Sequence, residues 1–132
     1  MSLLDEAAKA LLREPYFAWA TVVRSDGRLH STVVCVDVDG DDVVFTTAIG
    51  RVKEKVLRAD ARVSISVLDP NHAFHSVSVS GLARLEQEGA DLVTDVIAKK
   101  YWGVTNYSHR SPDEQRVTVR VTPDNVIYSG LP

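Results

Sequence analysis

The chain has 132 residues and a mass of 14.5 kDa, room for one domain spanning 1–132 and not for two. It is 45% hydrophobic and 25% charged, so an ordinary core forms without disulfide or metal staples. Fifteen Lys and Arg against eighteen Asp and Glu give a net charge of −3, which argues against a nucleic-acid binder.

Leu3, Leu4, Ala7, Ala8, Leu11 and Leu12 form pairs four apart, one apolar stripe on a short helix that Pro15 ends. Strand grammar follows. Phe17 to Arg24 is rich in β-formers, Ser25-Asp26-Gly27 supplies a turn, and Leu29 to Val38 is expected as a second strand. Asp39 to Asp42 makes the next turn and Val43 to Thr47 a third strand. The run from Arg51 to Arg58 loses the alternation and predicts a short helix begun near Gly50.

Val63, Ile65 and Val67 then alternate with Ser64, Ser66 and Leu68, a half-buried strand stopped by Asp69-Pro70. Ser76 to Leu85 alternates likewise, and Gly81 inside it signals a bulge or a close backbone approach. Leu92, Val93, Val96, Ile97 and Tyr101 share a helical face. Gly103 to Gln115 reads as an ordered loop, Val117 to Val121 as a strand, and Val126 to Tyr128 as another. Six or seven short-turned strands predict an antiparallel β-barrel with short helices.

No apolar run approaches the roughly 20 residues that cross a bilayer, and the acidic N-terminus lacks a signal-peptide layout. With a single cysteine, the expectation is a cytoplasmic protein without membrane contact. Cys35 among valines reads as a structural thiol. Asp37, Asp39, Asp41 and Asp42 lack calcium-loop spacing and read as a solvated turn. His72 and His75 have no third ligand nearby, so no metal site is expected. Dinucleotide, Walker and nucleophile-elbow motifs are absent, and no catalytic acid or base stands out.

The informative stretch is T-T-A-I-G-R-V-K-E-K-V-L-R-A-D-A-R, residues 46–62. Residues 51–62 hold five bases and two acids, a +3 island in a chain whose remainder carries −6. A strand ending in hydroxyls passes through Gly50 into a helix start, where N–H groups and the dipole favour phosphate and Arg51 and Lys53 add charge. The competing reading is a solvated amphipathic helix with bases on its wet face. The hydroxyls and glycine just before the bases favour the phosphate.

The order F-A-W-A-T-V-V-R-S-D-G-R-L-H-S-T-V-V, then V-V-F-T-T-A-I-G-R-V-K-E-K-V-L-R-A-D-A-R-V-S-I-S-V, resembles the split-barrel flavin and deazaflavin oxidoreductases. These are the pyridoxamine-phosphate-oxidase-like proteins, and the likeness is greatest to their coenzyme F420 branch. It continues through V-S-V-S-G-L-A-R-L, A-K-K-Y-W-G-V and Q-R-V-T-V-R-V-T-P-D-N-V. G-R-x-K-x-x-x-L-R-x-D-x-R is the specific part.

The resemblance implies an antiparallel split barrel and a homodimer with cofactor sites at the subunit interface. It implies that Arg51 and Lys53 grip the cofactor phosphate and that Thr46 and Thr47 lie along the cofactor. Ile49 and Gly50 supply the turn backbone, and Val33 and Val34 flank the tricyclic ring. It further implies hydride transfer between coenzyme F420, or FMN as the alternative, and a small conjugated substrate, with the hydride chemistry residing in the cofactor. A cofactor carrier without turnover is a further reading. His75, Ser76 and Ser80 stand where relatives carry longer side chains, often arginine. His75 and His109, with Trp102 and Tyr107, are the candidates to shape the substrate pocket.

Overall fold

A computed structural model describes residues 3–104 and 113–130. Three helices and seven strands follow in chain order among these residues: α1 (Glu6–Arg13), β1 (Ala18–Val23), β2 (Leu29–Val34), β3 (Asp37–Asp39), β4 (Asp42–Ala48), α2 (Val52–Ala59), β5 (Arg62–Asp69), β6 (His72–Glu86), α3 (Ala90–Trp102) and β7 (Arg116–Ser129). All pairings are antiparallel, in the order β2-β1-β5-β6-β7-β4-β3. The outermost strands, β2 and β3, are joined by only Cys35 and Val36. A flat sheet cannot bring its two edges that close, so the sheet rolls into the split barrel that the resemblance implies.

The alternation decides what fills it. Val63, Ile65 and Val67 of β5, Val77 and Val79 of β6, and Val119 and Val121 of β7 turn inward against Phe45. Leu4, Leu11 and Leu12 around α1 and Leu57 of α2 enter the same core. The α1 start is capped by Asp5, whose carboxylate accepts the Ala8 N–H at 2.9 Å. None of the described helices is long and apolar enough to cross a membrane.

Two sequence expectations change. The single strand predicted over 29–38 is two strands on opposite sheet edges. At the break, Val36 bonds to α3 instead of a strand neighbour: its N–H donates to Tyr101 Oη at 3.0 Å and its carbonyl accepts from Lys100 Nζ at 2.6 Å. Conversely, the two pieces predicted over 117–121 and 126–128 are one strand, β7, paired with β6 past Pro123. Its register shifts between Ser80 and Gly81, and a Cβ on Gly81 would lie 2.1 Å from the Thr122 carbonyl oxygen. Both readings of that glycine hold. The aspartates of the β3–β4 turn are tied up in ion pairs, Asp39 and Asp42 with Arg120 and Asp41 with Lys9.

Because α3 packs on β7 and β4, the first half of β7 is covered on both faces. Its valines face the barrel, while Arg116 and Thr118 are buried on the other face. That covered edge forms part of the site.

Candidate functional site

A cavity of about 310 Å³ opens where the ends of β2 and β4 meet α2 and α3. Its wall includes Val33, Val34, Thr46, Thr47, Arg51 and Lys53, six of the eight residues that the sequence assigns to a cofactor. They come from three separate elements and from the turn before α2. Phe17, Cys35, Thr94, Trp102 and Arg116 complete much of the remainder.

The turn into α2 is fixed from within. Gly50 has a φ of +93°, a conformation that suits glycine, and its N–H donates to Glu54 Oε1 at 2.7 Å. That bond is the main cause that holds the buried Glu54 carboxyl below its usual range, with Arg58 adding to it. The N–H of Ile49 donates to the Gln115 carbonyl at 2.9 Å and that of Arg51 to the Ala48 carbonyl at 3.1 Å. Ile49 and Gly50 are not brought into the cavity, and their amides are already taken. The turn therefore aims side chains, not backbone, at a ligand.

Those side chains are a graded set of donors. Lys53 reaches across to β2, where Nζ donates to Thr32 Oγ1 at 2.9 Å. Burial, followed by the neighbouring Arg51 charge, lowers the Lys53 pKa, which makes an incoming anion a favourable partner. Arg51 keeps 53% of its side chain exposed while Nη2 donates to Glu114 at 2.6 Å. Behind it, buried Arg116 donates from Nη1 to Glu114 at 3.1 Å, from Nη2 to Thr46 Oγ1 at 2.8 Å and from Nε to Thr94 Oγ1 at 3.3 Å.

Thr47 is the exception. It is buried in the wall, and its hydroxyl has no hydrogen-bond partner. Thr47 pairs with Val117 and shares the strand face of Phe45, so its hydroxyl, like that of Thr118, is sealed inside the protein rather than offered to a ligand. With the cations of Arg51 and Lys53 and the apolar side chains of Val33, Val34 and Ile97 in its wall, the cavity suits a ligand with an anionic end and a flat apolar body.

The family profile described as pyridoxamine 5′-phosphate oxidase matches residues 4–130. The chain belongs to this family. Its fold is that family's flavin-binding oxidoreductase fold. Solved structures agree on the fold. A protein named F420 reductase superposes with a TM-score of 0.79 at 23% identity, covering 90% of this chain and 94% of the other. A conserved hypothetical protein of Mycobacterium tuberculosis gives 0.73 at 21% identity, covering 96% and 82%. A pyridoxamine 5′-phosphate oxidase-related, FMN-binding protein of Nostoc punctiforme gives 0.71 at 12% identity, covering 96% and 83%. No curated protein matches the sequence.

The substrate-pocket candidates fare differently. Trp102 lines the cavity. His75 does not: it sits by the β5–β6 turn, with Nδ1 3.2 Å from Asp69 Oδ2, Nε2 3.2 Å from Tyr128 Oη, and its ring edge-on to Tyr128. Asp69 also accepts the Asn71 N–H at 2.8 Å, the main cause of its lowered pKa, with His75 contributing. The ring is spent as a clasp between β5, β6 and β7. His109 and Tyr107 lie outside the described residues. Arg116 and Glu114 were missed, because only the packing of α3 shows that this end of β7 is covered.

Proposed function

We propose that this protein is an oxidoreductase that binds coenzyme F420, with the cofactor phosphate on Arg51 and Lys53 and the ring system along Val33–Val34 and Thr46–Thr47. The observation that carries the reading is the convergence of those side chains on one cavity whose wall holds the two cations Arg51 and Lys53. Bound there, the cofactor supplies the hydride chemistry. The chain's own residues bind the anion, hold the ring against valines and exclude water. Turnover of a small conjugated substrate follows from that arrangement without a dedicated acid or base.

FMN is the second reading, favoured by the family and by the Nostoc relative described as FMN-binding. Both cofactors present a phosphate to the same cations.

The site also asks for a second copy of the chain. Val33, Trp19, Ser66, Ser78 and Ile127 are paired across five strands in one row on the outside of the sheet. Trp19 is 56% and Ile127 66% exposed. Phe17 borders both this face and the cavity, so a homodimer through this face would finish the cavity wall.

Titration of the purified protein with F420 and with FMN, followed by fluorescence, tests the reading. Saturable F420 binding that is lost in the Arg51→Ala/Lys53→Ala variant supports it. FMN retained through purification shifts it to the second cofactor, and binding of neither overturns it. Turnover of reduced cofactor with enones and quinones then separates enzyme from carrier. Sedimentation showing a stable, folded monomer would remove the dimer.

A further inference from the structure

Among the described residues, Lys53 is the cation of the cavity whose charge no carboxylate shares. Its partner is a neutral hydroxyl, Thr32 Oγ1, which accepts from Nζ at 2.9 Å. Arg51, by contrast, donates to Glu114 at 2.6 Å. Local geometry explains how Lys53 and Thr32 meet. Lys53 lies one helical turn before the buried Leu57, so both leave α2 on the face turned to the barrel. Thr32 stands opposite the fully buried Ala20 across β1 and β2, so it turns to the same side from an edge strand. Lys53 is part of the cavity wall and Thr32 is not. An effect of this hydroxyl on a ligand therefore passes through the lysine.

We propose that Thr32 is a positioning residue, which holds the Lys53 ammonium at the cavity without neutralising it. The inference rests on the anion site assigned above and extends it to a residue outside the wall. A lysine stem is long and flexible, and it loses rotamer freedom when a ligand immobilises its end. A bond made before the ligand arrives reduces that loss at binding. One N–H of the ammonium is spent on Thr32, and the others stay available to an anion. A hydroxyl suits this task better than a carboxylate, which would share the charge that the anion needs. The titration of Lys53 agrees: burial and then Arg51 lower its pKa, and no acid opposes them.

Dissociation constants for coenzyme F420, with FMN in parallel, are measured with wild type, Thr32→Val, Thr32→Ser, Lys53→Met and the Thr32→Val/Lys53→Met double variant. Thr32→Val keeps shape and charge and removes the acceptor, so affinity should fall by about fivefold. Thr32→Ser restores an acceptor and should stay within about twofold of wild type. In the Lys53→Met background, Thr32→Val should change affinity by less than about twofold, because the group it acts through is gone. A Thr32→Val variant that binds like wild type, a serine variant as weak as the valine variant, or an equal loss with and without Lys53 overturns the inference. Should the valine crowd α2 and unfold the chain, Thr32→Ala is read by the same criteria. Binding of neither cofactor by wild type sinks the cofactor site and the inference with it, a different outcome from binding that ignores Thr32.

Discussion

Two polar corners of this barrel attract attention in the sequence, the Arg51 turn and the His75 strand, and they differ in what their polar atoms have left to give. Around His75 the set is closed. Asp69 can only accept from Nδ1, Nε2 then accepts the Tyr128 hydroxyl proton, and Asn71 caps the carboxylate. Around Arg51 the set is open: Arg51 keeps 53% of its side chain exposed beside the cavity, and Lys53 is a half-buried cation whose pKa is lowered chiefly by burial. A closed set spends its polarity on the fold, and an open set keeps it for a ligand.

The largest expected effect that would break this contrast is at the open corner. Arg51→Ala combined with Lys53→Ala should weaken cofactor binding by about 100-fold or more, each lost charge-assisted bond being worth about 1.5–3 kcal/mol. The midpoint of thermal unfolding should move by no more than about 2 °C. His75→Ala should do the opposite. It removes two hydrogen bonds and an aromatic contact, costing about 1–2 kcal/mol of stability, and leaves cofactor affinity within about twofold. Titration and denaturant unfolding of both variants give four numbers. If the His75 variant loses binding, the division between the corners is wrong.

How much of this was legible depends on the range of the interactions involved. The Arg51 corner is written locally, since hydroxyls, glycine and bases follow one another along a strand–turn–helix passage of residues 46–58. The break after β2 is not. Val34, Val36 and Val38 keep the same parity, so the period-2 pattern runs straight through it. Its cause lies 64 and 65 positions away, in Lys100 and Tyr101. The junction of β7 fails for the converse reason: Thr122-Pro123-Asp124-Asn125 has turn chemistry, but Gly81 opposite lets the strand continue. His75 was visible as a residue and misplaced as a role, because nothing in the chain around it announces Tyr128 as its partner.

A subtler test lies at Thr47. Thr47→Val keeps shape and removes the unpartnered hydroxyl. The free protein should gain about 1 kcal/mol in denaturant unfolding, since a buried polar group without a bond is removed. Cofactor affinity should stay within about twofold, since that hydroxyl is sealed from the cavity. A variant that loses stability would mean that the hydroxyl is satisfied within the protein, and one that loses affinity would mean that it reaches the ligand.

The smallest effect concerns Cys35, which lines the same cavity without belonging to its donor set. Burial pushes its thiol from 9.0 up to about 11, against a weaker opposing pull from Lys100. A thiol with that pKa is ~0.1% ionised at pH 8, so alkylation by iodoacetamide should be far slower than for an ordinary exposed thiol and should climb until about pH 11. The linkage has a definite sign. The folded chain holds the proton more tightly than the unfolded chain, so this contribution to stability is complete below about pH 9 and is lost as pH rises through about 11. Cys35→Ser should remove that alkaline slope while leaving stability at pH 7 nearly unchanged. Bound cofactor should slow the alkylation further, since it would cover the wall that Cys35 shares with Thr47. Rapid labelling at pH 8 would show that water reaches this wall freely, and the burial that sets Lys53 apart as a cation held for a ligand, on which the contrast between the two corners rests, would then shrink accordingly.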